Sequence, residues 1–444
     1  MPPKTQLIDM IRTVPEVAVR LWSGGKAFPH DDGVRVQFEG REITVSKDIY
    51  DEAVKVARTI AIRWGSRLLR GIIDVLELRH AAEDVFLENL FSRRDIPSVL
   101  FVPAGVTASG FYRAMFPADL LNEGGQVMSN WTAKPDPAKA LRYDVLWIQL
   151  ITAKLLTEIA RQAKAEGVRI VYDIDDNLSA IPDENQAKTV YGTAEKQAEI
   201  REMIELADLV TVSTVPLGKA ILNRHPGKWV KVLPNMLTAN VAPRKHPSNP
   251  DFVRILWAGS ATHKRDLAII APALRNVLRR HDGKVRFTLF GERLPEVLAD
   301  CHRWIDLKKP VDFEEYHDEL AEIGADFGIV PLEANEFNES KSGIKGLEYA
   351  SAGYPTLCSP VAEYPALVAA GFPAEIVQDD GWLPALRRMV DMPREERNQL
   401  GLLSINWVMT NRCMGKNRAD QWADVVCDLV KHKQGKPEKN LRLV

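Results

Sequence analysis

Short apolar runs alternate with longer amphipathic segments through most of the chain. Between residues 98 and 235 the runs are SVLFVPAG, YDVLWIQ, RIVYDIDD, ADLVTVST and VKVLPN, and the segments between them, such as LLTEIARQAKAEG, carry apolar residues at helical spacing. Strands that are buried on both faces have this composition, and their alternation with helices is typical of a parallel sheet covered by helices. The pattern therefore predicts an α/β domain over residues 97–240.

The same pattern begins again after a polar segment with three prolines. NMLTANVAPRKHPSNPD (235–251) predicts a linker, and RILWAGS, KVRFTLFGE, DFGIVPL and PTLCS then predict the strands of a second α/β domain over residues 241–405. Ligands of open α/β sheets bind outside the carboxyl ends of the strands. We therefore expect two Rossmann-like domains that face each other across a ligand-binding cleft.

Residues 1–96 follow a different pattern. A β-like segment, VRVQFEGREITV, precedes a long stretch of helical spacing at 47–91, so we predict a mainly helical extension. Four arginines interleave with apolar residues on this stretch: Arg58, Arg63, Arg67 and Arg70. One interpretation is a basic surface that binds a membrane or an acidic partner, and the other is an ordinary solvated helix face. We favour the solvated face because acidic residues follow soon after. The extension is a candidate for binding an acceptor, a partner or a second copy of the chain.

Composition narrows the class of protein. A chain of 444 residues is too long for one core, and 45% hydrophobic with 27% charged residues is typical of soluble globular proteins. A formal net charge of −2 gives no support for a nucleic-acid surface over the whole chain. The sequence contains no run of about 18 apolar residues, so no membrane-spanning helix is predicted. The charged N-terminus does not resemble a signal peptide. The four scattered cysteines have no metal-ligand spacing, so we expect a cytoplasmic protein.

The segment KSGIKGLEYASAGYP (341–355) is predicted to be a short helix directly after the strand DFGIVPL. Its apolar residues follow helical spacing, and Gly353 and Pro355 end the helix. Because the strand ends at the cleft, the unpaired amides and the positive dipole end of the helix point into it. An anion site, with phosphate as the anion, is therefore expected there. Its predicted residues are Ser340, Lys341, Ser342, Gly343 and Lys345.

Glu348 is predicted to share one helical face with Lys341 and Lys345. Spacing alone leaves two interpretations open. Glu348 accepts hydrogen bonds from a diol such as a ribose, or Lys345 and Glu348 form a surface ion pair worth about 0.2–0.5 kcal/mol.

The segment NESKSGIKGLEYASAGYPTLCSP resembles the nucleotide-sugar site of GT-B glycosyltransferases, especially the large retaining family 4 group and its bacterial and phage relatives. In that family an acidic residue inside this helix holds the ribose hydroxyls, and a glycine and an X-Pro follow it, which Glu348, Gly353 and Pro355 match. Family members often have a second glutamate eight positions earlier, where this chain has Ser340, with Glu339 beside it.

Other segments carry the same resemblance. RILWAGSATHKRDLAIIAPAL is similar to the first strand and loop of the family's C-terminal domain, where a glycine turn and a basic residue meet the diphosphate. The corresponding residues here are Gly259 and Lys264, with Ser260, His263 and Arg265 as neighbours. VRFTLFGE, which contains Gly291, resembles the second strand of that domain.

The resemblance implies an α/β protein of the GT-B fold, in which residues 406–444 form a helix that returns towards the first domain, with a tail. It implies transfer of a sugar from a nucleotide-diphospho-sugar to an acceptor hydroxyl, with retention of configuration, no metal and no cofactor besides the donor. Lys264 and the helix amides would stabilise the leaving diphosphate. The acceptor remains open: a glycan, a protein, a lipid-linked sugar or a modified nucleobase. A non-catalytic nucleotide-sugar-binding protein and a nucleotide-sugar epimerase are the alternatives.

Two loops of the first domain are candidates for the acceptor side of the cleft. VPAGVTASGFYR (102–113) has the flexible glycine-containing character of a GT-B cleft loop, and we expect Gly110 and Arg113 there. YDIDDN (172–177) places three carboxylates within four residues, and these repel one another unless something offsets them.

Three interpretations of YDIDDN compete: a metal-binding DxD as in GT-A glycosyltransferases, a haloacid-dehalogenase-type phosphatase with a nucleophilic aspartate, and a GT-B cleft loop. The phosphatase pattern needs Thr or Val where this chain has Asn177, and a GT-A fold would not supply a second α/β domain. We favour the third, with Asp175 or Asp176 facing the cleft. A helix cap formed by Asp176 and Asn177 is the remaining alternative.

Overall fold

The computed structural model describes most of the two α/β domains and part of the extension. The described residues are 13–14, 16–18, 20–21, 26–31, 33–38, 41–64, 96–105, 107–124, 126–150, 153–238, 251–259, 264–414 and 416–431. The second half of the predicted long helix, with Arg67 and Arg70, lies outside them, as do most of the linker, Ser260, His263 and the C-terminal tail.

The extension contains a three-stranded antiparallel sheet followed by a helix. The elements are β1 (Lys26–His30), β2 (Gly33–Phe38), β3 (Arg41–Val45) and helix α1 (Lys47–Trp64), and the strand order is β1-β2-β3. The predicted β-like segment is thus a hairpin, whereas β1 was not predicted. Val36 and Val56 are buried in the same hydrophobic cluster as Leu100 and Ile148 of the next domain. The described part of the extension therefore shares the core of the first α/β domain.

The first α/β domain is built on a six-stranded parallel sheet in the order β5-β4-β6-β7-β8-β9. Its strands are β4 (Ser98–Val102), β5 (Met128–Trp131), β6 (Val145–Gln149), β7 (Arg169–Ile174), β8 (Leu209–Val212) and β9 (Val230–Val232), and the short β10 (Leu237–Thr238) follows. Every residue of β4 and β6 is buried, as expected for strands covered by helices on both faces. Edge strand β5 was not predicted from the sequence.

The helices of this domain cover both faces of its sheet. They are α2 (108–124), α3 (Pro137–Ala140), α4 (Lys154–Ala165), α5 (Ala187–Tyr191), α6 (Ala194–Leu206) and α7 (Val215–Arg224). Helix α2 consists of Ala108–Gly110, a π-helical turn Phe111–Met115 and Phe116–Gly124. The wider turn lies directly after the loop at the end of β4, so α2 begins at the edge of the cleft.

The second α/β domain repeats the architecture with the strand order β13-β12-β11-β14-β15-β16, again fully parallel. Its strands are β11 (Val253–Ala258), β12 (Val285–Phe290), β13 (Ile305–Lys308), β14 (Phe327–Val330), β15 (Thr356–Cys358) and β16 (Ala374–Ile376). Its α-helices are α8 (Lys264–Arg280), α9 (Phe313–Glu322), α10 (Glu336–Glu339), α11 (Ile344–Ser351), α12 (Tyr364–Ala369), α13 (Trp382–Asp391) and α14 (Arg394–Asn411). Two 3-10 helices, Glu296–Trp304 and Asp379–Gly381, complete it.

The chain returns to the first domain after α14. Strand β17 (Cys413–Met414) pairs in parallel with β10, and helix α15 (Lys416–Lys431) follows. Trp422 of α15 packs on Trp147 of β6 with ring centroids 5.0 Å apart. The predicted boundary at residue 405 falls inside α14, and the crossing itself is at β17. None of the described helices combines the length and the apolar character that crossing a bilayer requires.

Candidate functional site

The carboxyl ends of the two sheets face a cleft that contains two adjoining cavities. The first cavity has a volume of about 430 Å³ and lies between the start of α2 and the end of β7 on one side and β11, β14 and α11 on the other. Its polar lining residues include Ser109, Tyr112, Asp175, Asp176, Asn235, Lys341, Ser342, Lys345 and Glu348. Residues predicted from two distant parts of the sequence thus meet in one cavity.

Helix α11 begins at Ile344, three residues later than predicted. Lys341 belongs to the turn that follows α10, where its amide donates to the carbonyl of Asn338. The amide of Gly343 donates a 3.0 Å hydrogen bond to the carboxylate of Glu363, which also pairs with Arg412. One amide at the predicted anion site therefore already has a carboxylate partner, while Ser342 and Ile344 line the first cavity.

Glu348 is almost fully buried, with 2% of its surface exposed, in the wall of the first cavity. Its Oε1 accepts a 2.8 Å hydrogen bond from the Tyr112 hydroxyl, and its Oε2 accepts from the Tyr316 hydroxyl at 3.0 Å and from Lys345 Nζ at 3.0 Å. The predicted pair of Lys345 and Glu348 exists, but the interpretation as a surface pair is wrong because the carboxylate is buried. Three donors instead hold a buried anion.

At neutral pH the two tyrosines that contact Glu348 are uncharged and Lys345 is positively charged. Burial, and then the charge of Glu348, raise the pKa of both Tyr112 and Tyr316 well above the usual phenol value. Burial by itself would lower the pKa of Lys345, but Glu348 and Tyr349 together outweigh it and the net shift is upwards. The carboxylate is therefore held by two neutral phenols and one ammonium group.

Lys341 connects the two domains. Its Nζ donates a 3.0 Å hydrogen bond to Oδ1 of Asp176, and the same ammonium group lies 4.4 Å from the centroid of the Phe337 ring. Lys341 precedes α11 and does not continue the helical face of Lys345 and Glu348, contrary to the prediction. The ion pair of Lys341 and Asp176 forms part of the lining of both cavities, so it marks the boundary between them.

The prediction that Arg113 faces the cleft is wrong. It is fully buried, and its Nε and Nη2 donate to the two carboxylate oxygens of Asp173, at 2.9 and 2.6 Å. It also donates to the carbonyl of Leu233 and to Asn235, and its guanidinium lies over the ring of Trp422. Arg113 thus offsets one of the three carboxylates of YDIDDN and joins α2, β7 and α15 inside the first domain.

Asp175 and Asp176 both border the first cavity, and Asp175 has the more unusual environment. Its Oδ1 is buried without a hydrogen-bond partner among the described residues. Burial, and then the charges of Asp176 and Asp173, raise its pKa to about 7. Asp175 is therefore a carboxyl group that changes protonation near neutral pH at the edge of the cavity.

Ser340 lies in the contact between the domains rather than at the predicted anion site. It is 2% exposed; its hydroxyl accepts from Asn177 Nδ2 at 3.2 Å, and its carbonyl accepts from the Thr214 hydroxyl at 2.7 Å. The proposed helix cap by Asp176 and Asn177 is also wrong, because the next helix begins at Ala187 and Asn177 instead reaches across to Ser340. The polar residues that follow both strands therefore hold the domains together.

Arg265 and Gly110 also differ from expectation. The Arg265 guanidinium bonds to Glu333 at 2.6 Å and to Glu184 at 2.9 Å, and all three residues border the second of the two cavities. Its charge is therefore matched by two carboxylates instead of being directed at a diphosphate. Gly110 is buried, and a Cβ there would lie 2.1 Å from the carbonyl oxygen of Gly105. Its role is to let α2 approach the preceding loop closely.

Two glycines occupy the carboxyl ends of β11 and β12, as the sequence predicts. Gly291 has a φ of +93°, and a Cβ there would lie 2.8 Å from the carbonyl oxygen of Gly259. A Cβ on Gly259 would lie 2.7 Å from the ring of Trp257. A larger residue at Gly291 would push the ends of β11 and β12 apart, and a larger residue at Gly259 would displace the Trp257 ring. Lys264 is the first residue of α8, and Ser260 and His263 lie outside the described residues.

The aromatic contact that brings Tyr112 to Glu348 was not predicted from the sequence. Phe111 of α2 stacks on Phe313 of α9 with centroids 4.7 Å apart, and the hydroxyl of Tyr112 lies 3.1 Å from His317 Nε2. Burial lowers the pKa of His317. The available signal was the density of aromatic residues in FYRAMF and FEEYH, one segment in each domain.

Comparisons with known proteins identify the fold. No protein-family model matches the chain, and no curated protein matches it. The structure is similar to sucrose-phosphate synthase from Thermosynechococcus elongatus, with a TM-score of 0.54 and 12% identity over 76% of this chain and 99% of that one. It is also similar to HepE from Anabaena in complex with UDP and glucose, with a TM-score of 0.53 and 11% identity over 75% of this chain and 99% of that one. Together with the two facing parallel sheets, these likenesses show that the chain has the GT-B fold.

Proposed function

We propose that this protein is a glycosyltransferase that moves a sugar from a nucleotide-diphospho-sugar to an acceptor hydroxyl. The observation that carries the proposal is the buried carboxylate of Glu348, held by Lys345 in the wall of an interdomain cavity, beside the start of a helix. A carboxylate accepts hydrogen bonds from a vicinal diol, and cations and amides a short distance away bind phosphate. Ribose and diphosphate have this arrangement in a nucleotide donor.

The donor is proposed to bind in the first cavity. Glu348 holds the ribose hydroxyls, and Ser342, the first amides of α11 and the ammonium of Lys341 or Lys345 hold the diphosphate. Gly259 and Gly291 directly follow β11 and β12, at the strand ends where α/β domains bind nucleotides, and Lys264 is the first residue of α8. In the structure the Tyr112 hydroxyl occupies Oε1 of Glu348, so donor binding exchanges this hydrogen bond for one from the ribose.

The proposed reaction breaks the bond between the anomeric carbon and the diphosphate oxygen, and the diphosphate leaves with the electron pair. The acceptor hydroxyl attacks on the face that the diphosphate leaves, giving retention, and its proton passes to a phosphate oxygen. Lys264, the lysines at the start of α11 and the helix amides stabilise the charge that develops on the diphosphate, which is the task that a metal ion performs elsewhere. Asp176, held in place by Lys341, faces the reacting sugar.

Product analysis tests this proposal. The protein is incubated with UDP-, GDP-, TDP- and ADP-sugars, with and without a panel of acceptors, and the products are separated and their anomeric configuration is determined by NMR. Release of nucleoside diphosphate with a new glycosidic bond, unaffected by a chelator, supports the proposal. Binding of a donor without any turnover supports a non-catalytic binding protein, and conversion of the donor sugar without acceptor supports an epimerase; either result overturns it.

A further inference from the structure

The second cavity of the cleft lies on the other side of the ion pair between Lys341 and Asp176. It has a volume of about 290 Å³ and lies between residues 182–187 of the first domain and the starts of α8 and α10 in the second. Ligand cavities in proteins typically have volumes of about 300–1,000 Å³, so this space is at the lower limit and suits a small ligand of one ring. It adjoins the first cavity directly, because both share the two residues of the ion pair.

The lining of the second cavity is dense in hydrogen-bonding side chains. Four amide side chains border it: Asn185, Gln186, Asn335 and Asn338. Amides both donate and accept, and carboxylates accept, so together they match the alternating donor and acceptor character of sugar hydroxyls. One aromatic ring, that of Phe337, is part of the lining.

The charge of the lining is negative. Four carboxylates border the cavity: Asp176, Glu184, Asp266 and Glu333. Among the described side chains of the lining, two cations stand against them, Arg265 and Lys341, so the carboxylates are in excess. A lining with excess negative charge repels phosphate, sulfate and carboxylate ligands. Anionic ligands are therefore disfavoured in this cavity, whereas a neutral ligand that carries hydroxyl groups fits its hydrogen-bonding lining.

We propose that the second cavity binds an uncharged sugar ring of the acceptor, with the attacking hydroxyl directed at the ion pair of Lys341 and Asp176. This inference rests on the proposed function, since it takes the first cavity as the donor site. It adds the class of the acceptor: a neutral glycan end, in contrast to a nucleobase within a nucleic acid or a sugar phosphate. Asp176 would then touch both substrates, because it borders both cavities.

A pair of tryptophan variants on one helix tests the proposal. Ala187, the first residue of α5, borders the cavity, whereas Val190 of the same helix is 55% exposed and does not belong to the lining. Ala187→Trp therefore fills the cavity, and Val190→Trp is the matched control. The probes are methyl glycosides of glucose, galactose, mannose and N-acetylglucosamine, titrated into the full chain saturated with the best-bound nucleoside diphosphate, with glucose 6-phosphate as the charged comparison.

The expected result is that one methyl glycoside binds to wild type and Val190→Trp, and binds at least about tenfold more weakly to Ala187→Trp, while the nucleoside diphosphate binds equally to all three. Glucose 6-phosphate should bind more weakly than the methyl glycoside. Equal glycoside binding to Ala187→Trp, or preferred binding of the sugar phosphate, would overturn the proposal. A further outcome is that the nucleotide-sugar binds more tightly than the nucleoside diphosphate to wild type but not to Ala187→Trp. That result would show that the cavity holds the donor sugar instead of the acceptor. If no nucleoside diphosphate binds to wild type, the proposed function itself fails.

Discussion

The hydroxyl of Tyr112 in the first domain donates a 2.8 Å hydrogen bond to Oε1 of Glu348 in the second. The bond is buried and crosses the cleft, and it engages the carboxylate that we propose as the ribose ligand. The stacked rings of Phe111 and Phe313 lie beside it. In the structure, a side chain of the opposite domain therefore takes the hydrogen-bonding position on Glu348 that we propose for the ribose.

Tyr112→Phe should strengthen donor binding by several-fold. The substitution keeps the ring but removes the hydroxyl that competes with the ribose. The cost in stability is about 1.5–3 kcal/mol, because the lost hydrogen bond is to a buried carboxylate and the contact with His317 is lost with it. Isothermal titration with the preferred donor measures the change, and urea unfolding measures the stability. Weaker donor binding in the variant would show that Tyr112 contacts the donor rather than competing with it.

Arg113→Met should destabilise the protein by about 3–5 kcal/mol, because it leaves the carboxylate of Asp173 buried without its charge partner. The matched control is Arg161→Met, since Arg161 is half-exposed in ion pairs with Glu158 and Glu202, and its loss should cost about 1 kcal/mol or less. Both free energies of unfolding are measured in urea. Similar small losses in the two variants would contradict the structural role given to Arg113.

The raised pKa of Asp175 predicts a specific pH dependence of stability. Its carboxyl has a pKa of about 7 in the folded protein, against about 4 in an unfolded chain, so between these values the folded state holds a proton that the unfolded state has released. Stability should therefore fall as pH rises from about 4 to about 7. Asp175→Asn removes this contribution, and we expect the variant to gain about 2 kcal/mol relative to wild type between pH 5 and pH 8.

Urea unfolding at the two pH values measures this gain, and Asp183→Asn, at a side chain that is 91% exposed, is the control. Parallel pH profiles of wild type and Asp175→Asn would contradict the raised pKa. The control should follow wild type at both pH values, since its carboxylate lies in solvent.

The sequence predicted the fold class well because buried strands are continuous apolar runs. The confirmed α/β class depends on segments such as SVLFV and VLWIQ, whose residues are all buried. Strand β5 was missed because its sequence, MSNW, has two polar residues, which β-strand patterns do not favour. The start of α11 was placed too early because Lys341 and Ser342 are compatible with helical spacing but form a turn after α10.

Only part of the candidate site could be predicted from the sequence. Local spacing found Lys345 and Glu348, which are three residues apart. It did not find Tyr112, which lies 236 residues away from Glu348 along the chain and reaches it through the domain interface. Arg113 was misplaced for the same reason: its partner Asp173 is 60 residues away, and no periodic pattern connects an arginine on a helix with an aspartate inside a sheet. Contacts between distant segments depend on the tertiary packing and leave no local signature.

The proposal that Glu348 holds the ribose of a nucleotide-sugar is tested by binding of a panel of UDP-, GDP-, TDP- and ADP-sugars to wild type, Glu348→Ala and Glu339→Ala. Glu339 is exposed and lies close to the site in sequence, so its variant is the matched control. Circular dichroism checks that both variants are folded. We predict that one donor binds to wild type and Glu339→Ala and binds at least about tenfold more weakly to Glu348→Ala. Unchanged binding in Glu348→Ala, or no binding of any donor to wild type, would contradict it.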